Sequence, residues 1–266
     1  MPETMPPLGL GTWQLNGRDC VDAVEDAIRL GYRHIDTARA YGNEREVGEG
    51  LRRSGIPRDE VWITTKLWRE GLRPEQVREQ MEASLRELGS GHVDLLLIHW
   101  PNADVPLAET LGTMAELRDA GRARNLGVSN FPSDLVREAA AVEHIHANQV
   151  EYHAYLTQEK VLEACREHDV LVTAYSPFAH GEVLKDDVLL EIAEARGASP
   201  GEIALRWLLD QPGVTAVPKA ASHEHRESNL RALEVDPLSD EERERIDALP
   251  KDRRVIDPGW APRWDG

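Results

Sequence analysis

The chain has 266 residues, 41% of them hydrophobic and 30% charged, an ordinary globular composition with enough length to bury a core without staples. Its 48 acidic residues against 31 basic ones give a formal charge of −17, which repels phosphate backbones and anionic lipid and argues against nucleic acid or a membrane surface as a partner. Met1 to Pro7 lack the basic start and apolar run of a signal peptide, and no stretch approaches the ~20 apolar residues that a spanning helix needs.

Short β-rich runs alternate with amphipathic stretches along the chain. Leu8–Thr12 is the first candidate strand, followed by a helical pattern over Asp19–Leu30 that stops at Gly31. His34–Thr37 and Val61–Lys66 are the second and third strands. Arg73–Leu88 then reads as a helix, with Pro74 in its first turn, Val77, Met81, Leu85 and Leu88 on one face and Gly89 as its stop. Strands follow at Val93–His99, Arg124–Ser129 and Ala147–Glu151, and Thr157–His168 reads as a helix capped by Thr157. Val170–Tyr175 and Val214–Lys219 are the last strands, Ser222–Leu233 and Ser239–Ala248 the last helices, and residues 250–266 an irregular tail. Strand–helix alternation predicts a parallel sheet with right-handed crossovers. Eight such units in ~250 residues predict an α/β fold closed as a (β/α)8 TIM barrel. No linker or composition shift divides the chain, so residues 1–266 are expected to form a single domain.

Barrels of this kind carry their chemistry at the C-terminal ends of the strands. Asp36, Lys66 and His99 end the second, third and fourth strands; Asn130 follows the fifth, Gln149 lies in the sixth, Tyr175 ends the seventh and Lys219 the eighth. Taken singly, Asp36 reads as a turn cap and His99 as a core histidine. Lys66 resists a bland reading, because lysine is depleted in strands and rarely buried unpaired. Together with Tyr41, these residues suit carbonyl reduction. The alkoxide left by a hydride must be protonated, and a tyrosine can donate, with lysine favouring the phenolate and so lowering its ordinary pKa of ~10. Asp36 would pair with Lys66, and His99 could orient the carbonyl oxygen.

The same residues sit in longer motifs. Gly31 to Ala38 (GYRHIDTA) followed by Tyr41-Gly42-Asn43-Glu44, Arg124 to Phe131 (RNLGVSNF), and Val217-Pro218-Lys219 through Asn229 resemble the three signatures of the aldo-keto reductases. The resemblance runs from Leu8 to Leu249, and the compact build is similar to prokaryotic diketogluconate- and methylglyoxal-reducing members. It implies NADPH, with NADH also open, lying extended across the barrel mouth and reducing a small carbonyl substrate. It implies Tyr41 as proton donor, tuned by Lys66 and Asp36, with His99 orienting the substrate. It places Thr12, Ser129, Asn130, Gln149, Tyr175, Ser176, Lys219, His225 and Asn229 against the cofactor, and Trp13, Trp68 and Trp100 in the pocket wall. Two groups depart from the usual phosphate-binding set: Ala220 stands for a hydroxyl and His225 for an arginine, with Arg226 one position on as a candidate replacement. Only seven residues precede the first strand, too few for the hairpin that usually plugs the barrel's bottom.

Other motifs fail. Gly9-Leu10-Gly11 lacks the third glycine of a dinucleotide fingerprint, and no Walker loop, HExxH or GxSxG occurs. The His144/His146 and His223/His225 pairs lack further ligands, so no metal is expected. Cys20 and Cys165 form no CxxC, which makes a reducing cytoplasm the expected compartment. A monomer is the default expectation, with an oligomer left open. Only five lysines stand among the basic residues, a bias that either a salty cytoplasm or a GC-rich genome would produce. Two rivals to the reductase are a barrel that senses NADPH without turnover, which has no need of a proton donor, and an aldolase-like enzyme with Lys66 as Schiff-base nucleophile.

Overall fold

The computed structural model describes residues 4–265. Eight strands form one parallel sheet in chain order: β1 (Leu10–Gly11), β2 (His34–Asp36), β3 (Trp62–Leu67), β4 (Val93–Ile98), β5 (Ala123–Ser129), β6 (Ala147–Glu151), β7 (Leu171–Tyr175) and β8 (Val214–Ala216). Parallel neighbours require crossovers. These are supplied by α1 (Gly17–Leu30), α2 (Glu44–Ser54), α3 (Pro74–Leu88), α4 (Leu107–Asp119), α5 (Ser133–Val142), α6 (Glu159–Glu167), and the pair α7 (Asp187–Arg196) and α8 (Pro200–Leu209). α9 (His223–Arg231) and α10 (Asp240–Asp247) follow the last strand. The sheet curls until its first and last strands approach. Leu8 bridges Ala216 and Gly11 bridges Lys219, both in parallel register, with the Gly9 N–H donating to the Ala216 carbonyl at 2.9 Å. Gly11 permits this approach, since a Cβ there would stand 2.6 Å from the Val217 carbonyl oxygen.

The period-two alternation of strands decides which residues face inward. In β3, Ile63 and Leu67 join the large core between sheet and helices, while Trp62 turns to the inner face. In β4, Leu96 and Ile98 pack outward, and Leu95 and Leu97 inward. A separate apolar cluster of Met5, Trp62, Leu95, Leu97 and Ala147 occupies the inner face, most of it toward the N-terminal ends of the strands. Trp62 also stacks on His146, with centroids 5.5 Å apart. This end therefore has a small plug of its own, made by Met5 and Trp62. Toward the C-terminal ends the same face turns polar, with Asp36, Lys66, Ser129 and Gln149 all buried.

The eight strands fall where the sequence puts them, most with trimmed ends, while β3 runs on to Leu67 and β5 begins at Ala123. The first and last are short, because beyond Gly11 and Ala216 the pairing continues only as isolated bridges. Gln158 rather than Thr157 stands at the N-cap position of α6, without a side-chain capping bond, and α1 begins at Gly17 rather than Asp19. Ser222 and Ser239 cap α9 and α10, their side chains accepting from the His225 and Glu242 N–H groups. Both cysteines are buried, and burial pushes each thiol up to about 12, which disfavours the thiolate at neutral pH. Among the described residues no helix is long and apolar enough to cross a membrane.

Candidate active site

At the C-terminal end of the curled sheet lies a cavity of about 780 Å³. Asp36, Tyr41, His99, Ser129, Asn130, Gln149, Tyr175, Ser176 and Lys219 line it, with Trp13, Trp68 and Trp100 on its wall. Lys66 lies beneath, fully buried. Its Nζ donates to Asp36 Oδ1 at 2.6 Å, to the Thr37 carbonyl at 2.9 Å and to the Tyr41 hydroxyl at 3.3 Å. The second Asp36 oxygen accepts from Gln149 Nε2 at 2.7 Å. The His99 ring makes edge contacts with Tyr41, centroids 5.6 Å apart, and with Trp68, centroids 5.4 Å apart. His99 Nδ1 is buried without a hydrogen-bond partner.

The position of Tyr41 depends on the loop that carries it. A 3-10 turn over Arg39–Tyr41 ends at Gly42, whose φ of 67° suits glycine. Asn43 is buried, donates to the Thr12 and Leu15 carbonyls at 2.8 and 2.9 Å, and accepts from the Thr37 hydroxyl. It thereby ties the ends of β1 and β2 together. Glu44, also buried, accepts from the Thr65 hydroxyl at 2.6 Å and from Arg39. Since Thr65 adjoins Lys66 in β3, this carboxylate joins the tyrosine's loop to the lysine's strand. Both residues stand in the GNE segment of the sequence, where their type was visible and their partners were not.

The electrostatics are those of a buried, paired site. Burial works against charge on Lys66, but the Asp36 carboxylate, the Tyr41 oxygen and the hydrogen bonds to both together outweigh it and hold the ammonium above its ordinary range. Burial likewise raises the Tyr41 hydroxyl above 10, with Lys66 pulling it down and Asp36 pushing it up. The net direction is upward, contrary to the expectation that the lysine would dominate. The Tyr41 hydroxyl therefore keeps its proton at neutral pH. His99 is held well below 6.5 by burial and then by the charge on Lys66, so its imidazole is neutral. A fully buried lysine kept cationic by a carboxylate offers no free amine for a Schiff base.

A family model, the aldo/keto reductase family, matches residues 7–251. The chain belongs to that family. It is 38% identical to methylglyoxal reductase DkgB of Escherichia coli O157:H7 over 98% of this chain and 99% of that protein. It is also 38% identical to the glyoxal reductase of Bacillus subtilis strain 168, over 94% of this chain and 91% of that one. Among solved structures, a putative 2,5-diketo-D-gluconic acid reductase B superposes with a TM-score of 0.96 at 41% identity, covering 98% of this chain and 94% of that one.

Several residues expected at the cofactor of this aldo/keto reductase have other engagements. Thr12 is fully buried, and its hydroxyl donates to the Asp36 carbonyl at 2.9 Å. The Ser129 hydroxyl donates to the Gln149 carbonyl at 2.8 Å, and the Tyr175 hydroxyl donates to Asn130 Oδ1 at 2.7 Å. Asn130 and Ser176 have φ of 62° and 49°, strained values for non-glycine residues at the ends of β5 and β7. His225 and Asn229 lie on α9, outside the cavity lining, His225 exposed and Asn229 buried. Arg226 corrects an expectation: it is no free replacement for an absent arginine. Its Nε donates to Asp26 at 2.8 Å and its Nη1 to the carbonyls of Ala220 and Ala221.

The tail supplies what the sequence reading missed. Val255, Ile256, Asp257, Pro258 and Trp260 line the cavity. Trp260 stands edge-on to Trp100 and Trp68, centroids 5.0 and 5.8 Å away, and the Arg69 guanidinium covers its ring. No regular element runs through this segment, so no periodicity in the sequence marks it.

Proposed function

We propose that the protein reduces small aldehydes and ketones to alcohols with NADPH, NADH being the weaker alternative. What carries this reading is the convergence of Tyr41, Lys66, Asp36 and His99 at one end of a cavity whose walls suit both reactants. The residues fit a nicotinamide cofactor by their chemistry. Ser129, Asn130 and Gln149 gather hydroxyl and amide groups beside the Tyr175 ring, as a carboxamide on a flat ring requires, with Ser176 next to them for the pyrophosphate. Lys219 is the one lysine or arginine among the described lining residues, and with Asn229 and His225 on α9 it would meet the adenosine phosphate.

The cofactor, when bound, supplies a hydride to the carbonyl carbon. Tyr41 donates its proton to the oxygen that gains charge. Lys66, 3.3 Å from that hydroxyl, stabilises the phenolate left behind, and Asp36 keeps Lys66 charged and aimed. His99, being neutral, can hydrogen-bond the carbonyl oxygen without adding a second positive charge. Trp13, Trp68, Trp100 and Trp260 offer apolar faces to the substrate's remainder and limit water at the reacting atoms. The names of the relatives support α-dicarbonyls such as methylglyoxal and glyoxal within the range.

We also propose that residues 1–266 form one domain and that the sheet closes as a (β/α)8 barrel, a reading supported by the Leu8–Ala216 and Gly11–Lys219 bridges. The decisive assay follows loss of the reduced nicotinamide's near-ultraviolet absorbance with methylglyoxal, glyoxal, aryl aldehydes and keto-sugars. Turnover of several of these with NADPH is the expected result, and cofactor binding without turnover of any of them would sink the reductase.

A further inference from the structure

Glu151 ends β6 fully buried and does not line the cavity; among the described residues no lysine or arginine forms an ion pair with it, and the nearby Arg254 charge acts on it only over a longer range. A buried carboxylate needs partners for both oxygens, and here they come from far along the chain. Oε1 accepts from the Val255 backbone N–H at 2.7 Å, and Oε2 from the Ile256 N–H at 2.8 Å. His153 supplies the third donor, its Nε2 lying 2.8 Å from Oε1. The Tyr155 N–H donates to His153 Nδ1 at 3.3 Å, which leaves Nε2 to carry the ring proton toward the carboxylate. The two captured amides belong to the first two residues of the tail segment that lines the cavity, and Trp260 lies four residues beyond them. Glu151 is also two residues from Gln149, on the same face of the same strand. One carboxylate thus fastens a wall that has no secondary structure of its own to the rigid sheet beside the reacting groups.

We propose that Glu151 is a positioning residue: by clasping the Val255 and Ile256 amides it holds the segment through Trp260 as a wall of the substrate pocket. It thereby sets affinity for carbonyl substrates large enough to reach that tryptophan, and it takes no part in proton transfer. The substrate half of this statement rests on the carbonyl-reductase reading; the structural half does not. A carboxylate is needed because all three partners are donors, and a glutamine of the same shape turns one acceptor into an NH2 group facing an N–H.

The experiment compares wild type with Glu151→Gln and Trp260→Ala in two measurements. Without substrate, amide hydrogen exchange at Val255 and Ile256 should accelerate at least tenfold in Glu151→Gln, while β3 and β4 exchange as before; unchanged exchange at those two amides overturns the clasp. With NADPH, Glu151→Gln should raise KM for a bulky aryl aldehyde about tenfold, with kcat, NADPH affinity and KM for methylglyoxal within a factor of two or three. Trp260→Ala should raise the aryl aldehyde's KM similarly, and the double variant should be little worse than either single one, since both release the same wall. A uniform loss of kcat for small and large substrates alike, or fully additive KM effects, overturns the positioning role. Should the wild type reduce no carbonyl, the reductase reading fails while the exchange measurement still decides the clasp.

Discussion

Tyr41 and Lys66 differ in what they can lose. Tyr41→Phe removes only the hydroxyl proton, so kcat should fall by ~10²–10⁴-fold while NADPH binds almost as before; single-turnover kinetics and a binding titration measure the two separately, and a rate near wild type would remove Tyr41 from its assigned task. Lys66→Met should be as damaging to catalysis and also cost ~3–5 kcal/mol of stability, since it strips the cation from a buried carboxylate that keeps only Gln149. Adding Asp36→Asn should restore part of that stability and none of the rate. Urea unfolding of the three proteins checks this, and a double variant weaker than either single one contradicts the pairing. The residue types of this site were legible in the sequence because a lysine in a strand is out of place and because an acid, a histidine and a nearby tyrosine converge with it at strand ends, although Asp36 taken singly reads as a turn cap. Their net electrostatics were not, because the direction of the Tyr41 shift depends on burial, which only the packed structure supplies.

At the scale of elements, the strands were legible from alternation and turn residues, and their order from the rule that parallel neighbours need crossovers. The short ends of β1 and β8 were not, since a run of β-forming residues does not say where its partner stops. The tail was illegible for a stronger reason: Val255 and Ile256 are held by Glu151, more than a hundred positions away in the chain. α9 shows the same contrast. Its cap and length follow from local residues, but the pairing of Arg226 with Asp26 of α1 does not. With Arg226 committed and Ala220 lacking a hydroxyl, the proposed phosphate site rests on Lys219 and His225. His225→Arg should therefore tighten NADPH by roughly tenfold, about 1.4 kcal/mol, and leave NADH within twofold. Dissociation constants for both nucleotides test this, and equal tightening of the two would show that position 225 does not face the phosphate.

The whole molecule carries a stored response to acid. His34 is fully buried against Thr64, and burial depresses its pKa from 6.5 to about 4. The unfolded chain takes up a proton below about pH 6.5 that the folded chain refuses until about pH 4, so stability falls as pH drops through that window and this loss then levels off. The full effect is on the order of 3 kcal/mol. Denaturant midpoints measured from pH 7 to pH 5, above the range of most carboxyl groups, should decline, and His34→Gln should flatten the decline; an equal slope in the variant would assign it to other buried histidines such as His99. Salt tests the acidic surface. If the charge of −17 reflects a salty cytoplasm, the melting temperature should rise from low to molar salt as the screening length falls to ~3 Å. A flat profile would favour genome composition.

The bridge between Leu8 and Ala216 also sets a clock on synthesis. The outer edge of β1 finds its partner only when a residue roughly 200 positions downstream has been made, which at about 5–20 residues per second means a wait of about 10–40 s. During that time the nascent chain presents an unpaired parallel edge, the kind of surface that recruits strands from other chains. That edge is short, since β1 contributes only Leu10 and Gly11, and a two-residue strand is a poor template. The same brevity means that a chain broken off before Val214 would keep seven of its eight strands and still lack the pairing that joins the first of them to the last.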